Sequence, residues 1–448
     1  MALAARTVAW LVVVACCLDI WLSPISGDGA IFLGVGRALL NGLQLYRDAF
    51  ETKPPGIFLL SAASHLLGGH DAARIFSILA VLTVVGTSVF CDRANGILIG
   101  AILAFYVTTR AGDYYPEAFG TAALCIYVAV LCHPGPESWR KTLASTLAIA
   151  IALLFKEPFL LSALAIGVYM LRSGKAFIRQ YLVPQVLALI VFGLVLLLTG
   201  SFADYLDVYL PFMFSVRVGQ SAAAIWFTAN DFIVALVWLP FVLLAGSQEE
   251  NWRGRARLAA ALCLAIAAAS IGEYSGKHSV AAVPIILPIF ICAAAREYFA
   301  SLALAALIYL PIWTGWPLHD RSVAVTIEAD RVTARKLDEV LTACDIDRYF
   351  YIGGNTHLHG FTEHSQAGPL LFLNMYMLQH PYLVDESLKR LRESSLILFE
   401  RKQDAMPIEK QYYDETQEYV AENFTLTPWE CAGGTISTER YVLFFRKT

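Results

Sequence analysis

The sequence predicts an α-helical polytopic membrane protein of about 11 transmembrane helices with a small C-terminal α/β soluble domain. Three observations carry that prediction. Of 448 residues, 57% are hydrophobic and only 16% charged, with a mean hydropathy of +0.58; a soluble chain carries about 25% charged residues. Apolar runs recur with basic residues in alternate connections. After Trp316-Pro317 the composition changes, charged residues become frequent and long apolar runs stop.

The runs read as spans are 8–22, 74–91, 95–110, 117–132, 141–155, 158–172, 181–199, 231–246, 258–272, 279–295 and 299–316. Several fall short of the roughly 20 residues that a bilayer core prefers, so their ends extend into the connections. The N-terminal run Val8–Leu18 after Arg6 has the look of a signal peptide, but apolar character resumes after Asp19, and it reads as an uncleaved first span. Arg93, Arg140-Lys141, the Arg172/Lys175/Arg179 group, the Arg253/Arg255/Arg257 group and Arg296 each lie between consecutive spans. If 55–67 does not cross, all of them fall on the cytoplasmic side with Arg6. The run 55–67, about 20 Å long as a helix, therefore reads as a surface or re-entrant helix. That gives eleven spans, a cytoplasmic N-terminus and an external C-terminus.

The chain then divides into a membrane module, 1–317, and an extracytoplasmic α/β domain, 318–448. Within the module, 27–68 is a first external loop with surface helices, and 200–230 is a long external loop rich in aromatic residues. That second loop reads either as a lid along the lipid interface or as an aromatic belt. In the C-terminal part the strands expected are Arg348–Ile352, Ser395–Phe399 and Tyr441–Arg446, with helices over 330–343, 384–393 and 408–423. Gly353-Gly354 reads as a turn, since a lone glycine pair is a weak phosphate-loop signal. His357, His359 and His364 are spaced too loosely for a metal set and read as a solvated loop.

Seven of the nine cysteines fall in or beside apolar runs, where Cys acts as a small hydrophobe. The other two, Cys344 and Cys431, share the C-terminal domain, and an oxidising compartment favours their pairing. A net charge of −4 without any basic tract speaks against nucleic-acid binding.

The polar groups cluster in short connections on the side opposite the basic ones. Asp28 follows the first span between Gly27 and Gly29; an amphipathic run, 31–41, leads to Arg47, Asp48, Glu51 and Lys53, closed by Pro54-Pro55. Charges held at a membrane surface between apolar elements are costly to desolvate and point to a site. Asp113-Tyr114-Tyr115-Pro116-Glu117 opens the fourth span, with Pro116 suited to a first helical position and the two acids four apart, on one face if helical. Lys156-Glu157-Pro158 joins two spans, and Lys277-His278 lies in another external turn. Each alone has a structural reading as a complement to a helix dipole. Their common side favours a substrate both hydroxylated and phosphorylated.

Asp28, the Gly42-to-Tyr46 segment followed by Asp48, and Lys53-Pro54-Pro55-Gly56 together resemble the first loop of the glycosyltransferase C superfamily. The protein O-mannosyltransferase (family 39-like) and aminoarabinose-transferase types are most similar in pattern. Arg74, the acid opening the fourth span, the Lys-Glu-Pro connection, the long loop between spans seven and eight and the external C-terminal domain also fit. The resemblance implies a transferase in the cell (inner) membrane, taking a sugar from a polyprenyl-phosphate donor to a lipid, glycan or protein acceptor on the outer face. In that scheme Asp28 is the general base and Lys53, with Arg110 or Arg217, holds the donor phosphate. Tyr46, Asp48, Glu51, Asp113, Glu117, Lys277 and His278 are the candidate substrate-binding residues, and a groove beside 55–67 seats the lipid tail. A single displacement implies inversion at the sugar carbon. Where many relatives carry a paired acid after the first span, this chain has Gly29. That leaves the base to Asp28 alone and weakens any case for a metal, so no cofactor is expected. A flippase or transporter of lipid-linked sugars is the competing reading. It predicts midplane charges and broken helices, whereas nearly all charges here sit at span ends, and no internal repeat is evident. An inactive scaffold for envelope assembly is a third reading, which only an activity assay separates.

Overall fold

The computed structural model describes residues 2–25, 27–136, 138–171, 173–214, 229–249, 251–270, 283–314, 323–372, 377–401 and 407–447. Among the described residues, thirteen helices precede the C-terminal part, besides a helical segment over 202–214. They are α1 (Ala2–Leu22), α2 (Asp28–Leu40), α3 (Gly56–Leu67), α4 (His70–Cys91), α5 (Gly96–Ala111), α6 (Pro116–Cys132) and α7 (Trp139–Phe155). Then come α8 (Phe159–Met170), α9 (Gly174–Leu198, with a wide turn at Ile178–Leu182), α10 (Ala229–Gly246), α11 (Trp252–Ser270), α12 (Val283–Ala293) and α13 (Phe299–Thr314). A helix lies on every run read as a span. Among the described residues, Leu3–Leu22, His70–Cys91 and Gly174–Leu198 are long and apolar enough by themselves to cross a membrane. Shorter apolar helices accompany them, α3, α6, α8 and α12 among these.

The bundle is centred on α5 and α6. Their residues are almost all buried, whereas α9 turns Val186, Leu189, Ile190 and Leu194 outward. Small residues set the close approaches. A Cβ at Gly96 would lie 2.4 Å from the Ser88 carbonyl oxygen of α4, and one at Gly120 would lie 2.1 Å from the Phe159 ring of α8. Without water to drive helices together inside a bilayer, such close packing is what joins them. The twelve residues of α3 span about 18 Å, short of a hydrocarbon core. α3 starts after Pro55, stops at Gly68 (φ 124°) and packs on α2, α4 and α7.

The C-terminal part is a five-stranded sheet in the order β2-β1-β3-β5-β4. The strands are β1 (Arg348–Ile352), β2 (Ser365–Gln366), β3 (Leu396–Glu400), β4 (Phe424–Thr425) and β5 (Tyr441–Arg446). The first three are mutually parallel, and β5 runs antiparallel to β3 and β4. Helices α14 (Val323–Ala343), α15 (Pro381–Glu393) and α16 (Pro407–Asn423) flank it. All three expected strands and helices are present; β2 and β4, two residues each, were too short to leave a pattern. Ala334, Leu337 and Leu341 of α14 pack with Tyr349, Leu396, Leu398, Leu443 and Phe445 in one buried core. Cys344, just past α14, is disulfide-bonded to Cys431, as expected from their shared compartment, with Cα atoms 5.2 Å apart. Gly353-Gly354 does end β1 as a turn, and its loop amides are already taken. Glu400 Oε2 accepts from the N–H of Gly354 (2.7 Å) and of Asn355 (2.8 Å).

The histidines are not a solvated loop. His357 Nδ1 faces Asp330 at 3.3 Å, His364 Nδ1 meets Asp338 at 2.9 Å, and His359 is 3% exposed. The reason is docking: the turn His357–Gly360 packs onto α2, where Gly34 leaves room for the His359 backbone and Ala30 meets Gly360. Burial holds His359 down at about 4. An imidazole in the unfolded chain titrates near 6.5. Unfolding therefore takes up a proton below that pH, and the stability His359 supports is present above about 6.5 and lost as pH falls towards 4. His359→Gln is expected to flatten the fall in melting temperature between those values; an unchanged slope would assign the acid sensitivity elsewhere.

Candidate active site

Four connections converge at one end of the bundle: the first loop, 41–55; the turn 112–115 before α6; Lys156-Glu157-Pro158 between α7 and α8; and the helical segment 202–214. α2 begins at Asp28, with Gly27 (φ 54°) at its N-cap and no side-chain cap bond. Asp28 thus lies inside the first turn rather than capping it, half-buried and with no hydrogen-bond partner among the described residues. Its charge is favoured there by the helix dipole. Gly29 lets the turn close on the next connection: a Cβ there would lie 2.2 Å from the Asp113 carbonyl oxygen. Gly29 thus admits protein backbone at this point.

Glu51, Thr52 and Lys53 are each about 5–6% exposed. Glu51 Oε1 accepts from the Thr52 N–H at 2.7 Å and its hydroxyl at 2.9 Å. Burial pushes the Glu51 carboxyl up, Lys53 pulls it down and Asp28 pushes it up again, so the three charges share one electrostatic neighbourhood. Tyr46 supports the loop from beneath. It is fully buried in a left-handed conformation (φ 70°), and its hydroxyl donates to the Lys53 carbonyl at 2.9 Å. A bulky residue at positive φ is uncommon, and Tyr46 is held there by packing on Tyr209 (ring centroids 4.9 Å) and Tyr205 (5.7 Å).

Those two tyrosines stack on each other at 4.8 Å and both donate to Glu157 Oε1, at 2.7 Å from Tyr209 and 3.3 Å from Tyr205. Phe212 makes an edge contact with Phe50 at 5.1 Å. The start of the long aromatic loop is therefore buried against the first loop, and its Tyr205, Tyr209 and Phe212 do not form a lipid-interface belt. Beside this knot, Lys156 Nζ and Glu117 Oε1 form a buried ion pair at 2.6 Å. The α3 helix is held in register by Tyr114, whose hydroxyl shares a hydrogen bond with Ser64 at 3.0 Å. A Cβ at Gly56 would lie 2.6 Å from the Leu154 carbonyl oxygen, so α3 starts where α7 ends.

The structure thus brings together Asp28, Glu51 and Lys53, with Tyr46 supporting the loop. Glu117 is engaged with Lys156. Two expectations are corrected. Asp113 and Glu117 do not share a helix face, because Tyr114 (φ 61°) turns the chain and α6 begins only at Pro116. Asp48 turns away from the cluster, accepting from the Gln44 N–H at 3.0 Å and facing Arg390 of α15 at 3.6 Å. Arg110 lies on α5, whose backbone alone is described at that position. Arg217, Lys277 and His278 lie outside the described residues. The partnership of Glu117 with Lys156, and of Glu157 with two tyrosines, was not foreseen. The signal was available: a Lys and a Glu side by side at a span end each need a partner if they are to be buried.

The C-terminal sheet closes over this end. The Phe50 N–H donates to the Pro369 carbonyl at 3.0 Å, Asn41 Nδ2 to Ser365 Oγ at 2.9 Å, and His70 Nε2 lies 2.8 Å from the Gly360 carbonyl. This arrangement of helices, first loop and docked sheet matches a solved one. The crystal structure of ArnT from Cupriavidus metallidurans bound to undecaprenyl phosphate aligns with a TM-score of 0.61 over 98% of this chain and 97% of that one. The chain has the ArnT fold. The apo state of that protein gives the same TM-score, again over 98% and 97% of the two chains. Sequence identity is 13% and 14%, so the likeness is one of fold. No family model and no curated protein matches the sequence. The apolar helices and the ArnT-like fold together make this a multi-pass membrane protein.

Proposed function

We propose that the protein transfers a sugar from a polyprenyl-phosphate donor to a cell-envelope acceptor at the extracytoplasmic face. The observation that carries this is the shared electrostatic neighbourhood of Lys53, Glu51 and Asp28 at one end of the helix bundle, in the fold of a protein solved with undecaprenyl phosphate. An acceptor hydroxyl attacking the sugar carbon needs a carboxylate to take its proton, and half-exposed Asp28 fills that role. The departing polyprenyl phosphate needs a preorganised cation, and Lys53 fills that one. Glu51 shares the electrostatic neighbourhood of that ammonium, and the Tyr46–Tyr205–Tyr209 knot fixes the loop that carries both. One displacement forms the new glycosidic bond as the bond to phosphate breaks, with inversion. No cofactor enters this scheme. With α3 lying at the surface rather than crossing, eleven spans put this site and residues 318–448 outside the cell.

The lipids that copurify with the protein test this reading. Mass spectrometry of an organic extract is expected to find a polyprenyl-phosphate glycoside enriched over the bulk membrane. An extract of ordinary phospholipids alone would count against a lipid-linked donor.

A further inference from the structure

A second site lies at the other end of the bundle. The seventeen residues of α7 run from Trp139 back to Phe155, about 25 Å, so the α6–α7 connection is at the membrane face opposite Lys156. There the ends of α4, α6 and α7 enclose a cleft of about 600 Å³, within the roughly 300–1,000 Å³ of known ligand sites. Its walls are apolar, with Phe90, Ile126 and Ala144 among them, and its floor is notched at Gly86, where a Cβ would meet nothing within 4 Å. Of its lining residues Phe90 and Ile126 are exposed, so the cleft opens outward, towards lipid, rather than into the protein.

One rim is cationic. Arg140 is exposed with its guanidinium 5.9 Å from the Trp139 ring, and Trp139 is itself exposed, as side chains at headgroup depth are. Lys141 Nζ donates to the carbonyls of His133 (2.6 Å) and Gly135 (3.0 Å), closing the turn over the cleft. An ammonium has three donors, and among the described residues two are taken by these carbonyls, which leaves one for a ligand. In sequence the connection 133–141 sets these two cations against the single acid Glu137. An apolar slot ending in two cations is complementary to an acyl chain ending in an anion.

We propose that this cleft binds an anionic glycerophospholipid, one acyl chain lying in the notch at Gly86 and the phosphate held at Arg140 and Lys141. Basic pockets between transmembrane helices bind such headgroups. The site is independent of the transferase reading, because it lies on the opposite face and shares no residue with it.

Native mass spectrometry of delipidated protein, titrated with phosphatidylglycerol and phosphatidylethanolamine of matched chains, tests it. A single saturable adduct favouring phosphatidylglycerol is expected. Arg140→Gln should reduce that preference about fivefold, the effect of one interfacial cation. Gly86→Leu places a side chain in open space, and should abolish the adduct without lowering the melting temperature. If that variant melts early, Ile126→Trp blocks the same slot from α6. Equal adducts of both lipids, or an adduct that survives a filled cleft, would overturn the proposal.

Discussion

Asp28→Asn is expected to lower transfer at saturating donor by roughly 100-fold or more, the scale of a lost general base, while leaving the melting temperature unchanged. The structure sharpens this expectation. An aspartate that only capped α2 would sit at the N-cap and accept an amide bond; Gly27 holds that position and no side-chain cap bond is made. Asparagine keeps the size and polarity of Asp28, and the first turn loses only the dipole complement, roughly 0.3–1 kcal/mol. It cannot accept a proton at neutral pH. Purified wild-type and variant protein, melted in detergent and assayed for turnover, separate the two roles. Full activity in a normally melting variant would remove Asp28 from the chemistry.

The second large effect is expected at Lys53. Lys53→Met preserves the length and apolar stem of the side chain but removes its charge from a site only 6% exposed. The neighbouring acid adjusts. Burial already raises the Glu51 carboxyl and Lys53 holds it down, so loss of the cation shifts it further up. The Glu51 carboxyl keeps both Thr52 hydrogen bonds in the variant, which is expected to fold and insert. Transfer at low donor concentration is expected to fall roughly 100- to 1,000-fold, as when one preorganised oxyanion donor is removed. A lysine that merely anchors α3 at the interface predicts near-normal transfer instead.

The positions of the helices were legible because a bilayer demands long apolar runs, and each run yields a helix. The sheet strands Arg348–Ile352 and Tyr441–Arg446 were legible because buried strands are apolar and aromatic. What could not be read were the contacts between distant segments. The Phe50–Pro369 and Asn41–Ser365 bonds join residues more than 300 apart, and they turn His359 from an apparent loop residue into a buried one. The candidate site divides in the same way. Asp28 and Lys53 stood out as charges beside apolar runs. The Glu117–Lys156 pair is a meeting of two connections, and neither alone specifies the other. Asp113 was misplaced because a positive φ at Tyr114 has no signature in a tyrosine.

A transferase site at Asp28, Glu51 and Lys53 must break the bond between sugar and phosphate in the donor. The most direct measurement of that step is the single-turnover appearance of free polyprenyl phosphate from the lipid-linked donor, in proteoliposomes supplied with an envelope fraction. One polyprenyl phosphate per sugar transferred is expected from the wild-type protein, and bound but unconsumed donor with Asp28→Asn. Equal release by both proteins, or no release by either while the donor is bound, would contradict that assignment.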